Sequence, residues 1–325
     1  MARISVPEAD ALLDKEIPVL DHGFVRLVDY LGGDARIVQA ARVSYGEGTK
    51  TVREDRALID YLLRNRHTSP FEQVILTFHV KMPIFVARQW IRHRTARLNE
   101  ISGRYSVMRD EFYLPRPFEV RRQGTRNRQG SDEEPLPDDA RERAIEAWSA
   151  DQDSIYAHYE TLLDDGIARE LARINLPLSL YTEMYWQIDL NNLFHFLRLR
   201  MDWHAQYEIR AYGDVIARLA QAVCPLAFEA FEEHELNGRT LSGSELSVLR
   251  QALDPAKLHA ALEASGLRKT RRRELLEKLG LASSSPGATA ESAAGAATPA
   301  APAGPARSEP AVAVEGGPGS EGDEG

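Results

Sequence analysis

The chain has 325 residues and a mass of 36.4 kDa, enough for one large domain or two small ones built on a substantial core. Its single cysteine, Cys224, excludes an intrachain disulfide and, among Ala222, Val223, Leu226 and Phe228, is expected to be a buried structural thiol in a reducing compartment. The net charge of −9 is unevenly placed, since residues 282–325 carry six acidic side chains against Arg307 and so hold −5 of it. No apolar run approaches the roughly 20 residues of a membrane span, and the opening residues carry no signal-peptide pattern, so a cytoplasmic soluble protein is expected.

In chain order, residues 23–31 alternate as a strand does. A helix follows Asp34, with Ile37, Val38 and Ala41 on one stripe, and a second is predicted over 52–64, where Leu58, Ile59, Leu62 and Leu63 recur at helical spacing. Residues 72–81 read as a covered strand that Met82-Pro83 ends. A helix is then predicted from Pro83 to about Arg94, with Arg88 and Arg92 one turn apart on one face.

Between Arg116 and Asp139 the chain turns polar, an excursion that reads as disorder or a functional lid. Helical patterns resume over 140–164 and 167–174; residues 178–188 read as a strand leading into a helix from Asn191 to about Arg200, and one long amphipathic helix is predicted over 205–234. The remainder to Leu281 is helical, and its basic run Arg268-Lys269-Thr270-Arg271-Arg272-Arg273 reads as a solvated face rather than a nucleic-acid surface. Residues 282–325, rich in Ala, Gly, Pro and Ser and lacking aromatic residues, Ile and Leu, are expected to be disordered because they cannot offset their ordering entropy by burial.

The densest chemistry lies at Arg88-Gln89-Trp90-Ile91-Arg92-His93-Arg94, followed by Asn99-Glu100, Ser102 and Arg104-Tyr105. Five arginines within 88–104, beside the apolar run Pro83-Ile84-Phe85-Val86-Ala87, are costly to hold there without anions, and phosphate is the obvious one. Common nucleotide signatures are absent, both the dinucleotide G-x-G-x-x-G and the P-loop, so any nucleotide chemistry rests on side-chain cations and short loops. The histidines show no convergent ligand spacing, and no metal is expected. From the residues alone, three readings stay open: a phosphate site, a non-catalytic nucleic-acid-binding module that uses the arginines, and a serine-dependent transferase built on Ser102.

Arg92-His93-Arg94, seven intervening residues and Ser102, extended by Asn99-Glu100-x-Ser102-x-Arg104-Tyr105, resemble the signature of the flavin-dependent thymidylate synthases. His67-Thr68-Ser69-Pro70-Phe71-Glu72 resembles that family's flavin-side loop, and Leu197-Arg198-Leu199-Arg200 with His204-Ala205-Gln206 its substrate-side helix, so the resemblance spans Gly23 to Glu235. It implies an α/β (α+β) fold with a mixed sheet flanked by helices, one domain over 1–281 with an insertion at 116–139, and a homotetramer with sites at subunit junctions. The implied reaction makes dTMP from dUMP, with methylenetetrahydrofolate as one-carbon donor and NADPH as reductant through FAD.

By the same resemblance, Ser69, Arg92, His93, Arg94 and Glu100 hold FAD, and Asp189, Asn191 and His195 contact it from a neighbouring subunit. Gln89, Arg92, Glu100 and Arg173 line the dUMP pocket, Ser102-Gly103-Arg104 hold its phosphate, and Arg200 is the activating arginine that stabilises charge developing on the uracil. Two departures stand out: Arg97 occupies a place where the signature often has serine, and Asp189 with Asn191 differs from an Asn/Arg pattern seen in some members.

Overall fold

A computed structural model describes residues 4–43, 52–124 and 130–281, which divide into two compact units on either side of Thr240 and Leu241. The acidic segment 282–325 lies outside the described residues. In the first unit α1 (Pro7–Asp10) precedes the hairpin of β1 (Glu16–Val19) and β2 (Gly23–Leu31). Helices α2 (Asp34–Arg42) and α3 (Val52–Arg64) then lead through a 3-10 turn at Phe71–Gln73 into β3 (Ile75–Pro83). The short α4 (Ile84–Trp90) is followed by β4 (Arg97–Glu100), the small strands β5 (Arg121–Gln123) and β6 (Ser131–Pro135), the long α5 (Asp138–Asp164) and α6 (Arg169–Ala172). The unit continues with β7 (Tyr181–Asp189), α7 (Leu190–Arg200), α8 (Tyr207–Val223) and α9 (Pro225–Phe231), which runs on as a π-helical segment over Glu232–Leu236.

Strand alternation builds the core. Val25, Leu27 and Tyr30 of β2, Leu76, Phe78, Val80 and Met82 of β3, and Met184, Trp186 and Ile188 of β7 all bury one face of a sheet ordered β1-β2-β3-β7-β4. Leu193, Phe196 and Leu197 of α7, with Ile209, Tyr212 and Ile216 of α8, belong to the same core. The intervening positions Thr77, His79, Tyr185 and Gln187 point to the other, polar face.

The α+β class with flanking helices is as expected, but the sheet is antiparallel in every named pairing rather than mixed. A parallel neighbour needs a crossover to the opposite end of the sheet. Here Leu31 pairs with Ile75, so the helical excursion between β2 and β3 returns the chain to the end it left.

Three predicted elements change. The helix expected to reach Arg94 ends at Trp90: the Gln89 carbonyl, which the His93 amide would meet in a continuing helix, accepts from Arg200 instead, and the His93 amide turns to the Trp90 carbonyl at 3.0 Å. Arg88 is therefore helical and Arg92 lies in the following turn, so the two do not share a helix face. The helix expected over 205–234 breaks at Cys224, which is held at φ −136°, ψ 71° because proline disfavours helical backbone in the residue before it. The excursion after Arg116 contains a 3-10 turn at Pro117–Glu119 and the β5–β6 pair, with 125–129 outside the described residues.

The second unit carries α10 (Gly243–Ala252), α11 (Pro255–Ala264) and α12 (Lys269–Lys278). Within it Arg272 pairs with Glu263 at 2.6 Å and Arg273 with Glu277 at 3.4 Å, so part of the basic run is neutralised by its own unit.

Candidate active site

The turn that ends α4 places Arg92, His93, Arg94 and Thr95 in one cleft with Ile188, Asn192, His195, Leu199 and Arg200. Arg200 reaches it from the last turn of α7 and donates through Nε to His93 Nε2 at 3.0 Å and through a terminal nitrogen to the Gln89 carbonyl at 3.1 Å. Because a guanidinium only donates, His93 accepts at Nε2 and, as a neutral ring, carries its proton on Nδ1. Burial first, then the charges of Arg200 and His195, push the His93 pKa down to about 4. The Arg200 pKa is also lowered by burial, so a desolvated cation sits against a neutral ring. Phe196 packs edge-on against His93 with ring centres 4.9 Å apart and fixes its plane. Gln89 in turn donates from its side-chain amide to Gln206 at the start of α8.

β4 then carries the chain along the edge of the sheet, with Arg97 opposite Gln187 and Glu100 opposite Met184. The Glu100 carboxylate accepts from the hydroxyl of the buried Thr182 at 2.7 Å. Beyond it the chain turns at Ser102, whose carbonyl accepts from the amides of Tyr105 and Ser106, both at 3.1 Å. The Arg104 amide donates to Ser102 Oγ at 3.3 Å. Gly103 is buried in this turn, and a Cβ there would lie 2.9 Å from Arg173 Cδ and 3.0 Å from Met108 Sδ. Glycine is thus what lets Arg173 lie across the turn, and Ser102, Gly103, Arg104 and Arg173 do come together. Arg104 meets Glu170 at 2.9 Å, and Arg169 donates to the Tyr105 carbonyl at 2.6 Å.

A second cleft adjoins the first across Asn192 and His195 and is walled by Arg66, His67, Thr68, Phe71, Asn191, Arg198 and Glu235. It unites the 67–72 loop with Asn191 and His195 as expected, while Ser69 is exposed on that loop without being among the lining residues. The Asp189 carboxylate caps α7, accepting from the Asn192 amide at 3.0 Å and from its side chain at 2.8 Å.

The residues of the Arg-His-Arg and Ser102 signature therefore fall into two groups, the Arg92–His93–Arg94 cluster with Arg200 and the Ser102 turn with Arg173, at opposite ends of the four-residue strand β4. They do not adjoin on one helix and turn, as a helix reaching Arg94 would imply, because the chain between them is extended over roughly 13 Å. Glu170, Thr182, Asn192 and Arg66 carry no motif signal and enter through tertiary contacts, while Gln206 stands in a segment with a family resemblance that assigns it no role. Among the described residues no group of three or more His, Cys, Asp or Glu side chains is gathered as a metal would require.

At the edge of an antiparallel sheet, an α+β fold thus gathers exposed arginines, the half-buried Arg200, a neutral histidine and a glycine turn closed by Arg173, a set whose chemistry suits phosphorylated ligands. Residues 26–226 match the family described as thymidylate synthase complementing protein. The flavin-dependent thymidylate synthase of Treponema denticola is 65% identical over 241 residues, covering 74% of this chain and 91% of the relative. One from Thermus thermophilus is 58% identical over 263 residues, covering 81% and 95%. A crystal structure of the UMP/dUMP methylase PolB from Streptomyces cacaoi with 5-Br dUMP superposes with a TM-score of 0.62 at 32% identity, covering 69% of this chain and all of PolB. The chain belongs to the flavin-dependent thymidylate synthase family.

Proposed function

We propose that this protein is a flavin-dependent methyltransferase that converts dUMP to dTMP. Methylenetetrahydrofolate would be the one-carbon donor, NADPH the reductant and FAD the flavin, in a cytoplasmic homotetramer. The observation that carries the reading is Arg200 held by His93 and the Gln89 carbonyl inside the cleft formed by the Arg92–His93–Arg94 turn. Family membership favours reading that cleft as a flavin and nucleotide site over a nucleic-acid surface. The serine-transferase reading loses ground because the Ser102 hydroxyl accepts from the Arg104 amide inside a turn, which suits a phosphate cradle.

The residues fit both groups. Arg92 and Arg94 offer exposed cations beside a neutral histidine, and Asn191 and His195 line the adjoining cleft. Glu100 and the Asp189 cap complete the set assigned to the flavin, and Ser69 stands on the loop that walls the second cleft. The Ser102–Gly103–Arg104 turn with Arg173 supplies backbone access, a hydroxyl and planar forks suited to a phosphate. When bound, the flavin supplies hydride chemistry that side chains lack. The protein's part is placement and charge: Gln89 and Arg92 border the nucleotide, and Arg200 lends its desolvated cation to charge developing on the uracil.

A cysteine nucleophile has no place in this scheme. Cys224 is fully buried, and burial, with the charge of Asp34, raises its thiol well above the ordinary range. The test is purification of the full chain and its Arg200→Ala variant. Both are expected to be yellow and to bleach with NADPH, while the variant loses dTMP formation by about 10²–10³-fold. A colourless protein that takes up no added FAD would sink the flavin assignment, and normal turnover in Arg200→Ala would sink the role given to Arg200.

A further inference from the structure

Arg66 ends α3 in an unusual way. Its amide donates to the Leu63 carbonyl at 3.0 Å and that of His67 to the Leu62 carbonyl at 2.9 Å, the two bonds that close a helix through a left-handed residue. Arg66 is that residue, at φ +58°, a conformation in which glycine is normally preferred and a long side chain is strained. A strained position held by a charged side chain marks a candidate for function when that side chain faces a cleft.

Arg66 does line a cleft, the one it shares with His67, Thr68, Asn191, His195 and Arg198. The charges around it are unequally committed. Arg198 lies 3.5 Å from Glu235 and 3.3 Å from His195 Nδ1, so its cation is largely answered within the wall. No described carboxylate pairs with Arg66. Glu235, the acid of the cleft wall, is taken by Arg198, and Asp60, on the preceding helix, by Arg64 and His234. Among the described residues, the cleft therefore presents one uncommitted guanidinium beside neutral donors, a composition that suits a phosphate group.

We infer that Arg66 is a cofactor-binding residue whose guanidinium holds a phosphate of the bound flavin dinucleotide in the cleft between the 66–71 loop and α7. The inference rests on the flavin reading above. The backbone strain at Arg66 is then the consequence of placing a cation where helix closure alone favours glycine.

The test follows flavin release from diluted full-chain holoenzyme by recovery of free flavin fluorescence, alongside thermal unfolding. Arg66→Gly is expected to weaken flavin retention about tenfold, the loss of one charge-assisted contact, without lowering the melting temperature. Arg66→Lys should retain most of the affinity. Moving the charge to the facing wall, Asn191→Arg on top of Arg66→Gly, should restore part of it. Unchanged flavin retention in Arg66→Gly overturns the inference. If retention were unchanged while the KM for NADPH rose, the phosphate would belong to the co-substrate and the flavin assignment would fall. A wild-type protein that binds no flavin overturns the functional reading itself, an outcome distinct from a yellow wild type with an equally yellow variant.

Discussion

His93 and Arg200 show how burial and a neighbouring cation together set a protonation state. Burial disfavours the charged ring most, and the neighbouring charges of Arg200 and His195 add to it, so the His93 pKa falls to about 4; a protonated ring would also lose its bond from the obligate donor Arg200. A group with a depressed folded pKa binds fewer protons than its unfolded form between pH 4 and its ordinary value of 6.5. Stability should then be fully present above that window and decline as pH falls through it. Unfolding followed at pH 7, 6 and 5 is expected to show this decline, and His93→Gln, which keeps an acceptor but cannot titrate, should flatten it. An unchanged slope in the variant would place the titration elsewhere. That Arg92, His93 and Arg94 share one cleft is legible in their adjacency in the sequence. The neutrality of His93 is not, because it depends on burial and on Arg200, which lies 107 positions away in sequence.

Among the elements, those with local causes are legible. The strand over 23–31, α3, α5 and α7 follow from periodicity alone, whereas the break that Pro225 imposes on the 205–234 pattern does not show in periodicity. β4 escapes the sequence pattern because its four residues are all exposed, offer no alternation and become a strand only by pairing with β7. Without it, both residue groups fall on one helix and turn. A further long-range device is the Asp34 carboxylate, which starts α2 and also accepts from the Leu226 amide at 2.8 Å and the Ala227 amide at 3.0 Å, capping α9 from across the fold. Asp34→Ala leaves those donors of a buried helix start unanswered and should cost about 1–3 kcal/mol in chemical denaturation. Flavin content per folded molecule is expected to stay the same; a fall in flavin content at full stability would assign Asp34 to the site instead.

For the whole molecule, function follows from a division of labour. The antiparallel sheet buries one face against α7 and α8 and thereby fixes Arg200 and the His93 turn, while its edge strand leads the chain to the separate Ser102 turn, proposed to hold the phosphate. Catalysis by placement needs rigid supports more than reactive side chains, and the buried Cys224 agrees with that. The measurement that tests this most directly is a single turnover under anaerobic conditions. The protein's flavin is reduced with NADPH, excess reductant is removed, and dUMP with methylenetetrahydrofolate is added while flavin absorbance and dTMP are followed together. The expected result is return of the oxidised-flavin spectrum with an equal amount of dTMP, unaffected by Cys224→Ala. Formation of dTMP without flavin reoxidation, or its loss in Cys224→Ala at unchanged stability, would contradict the account.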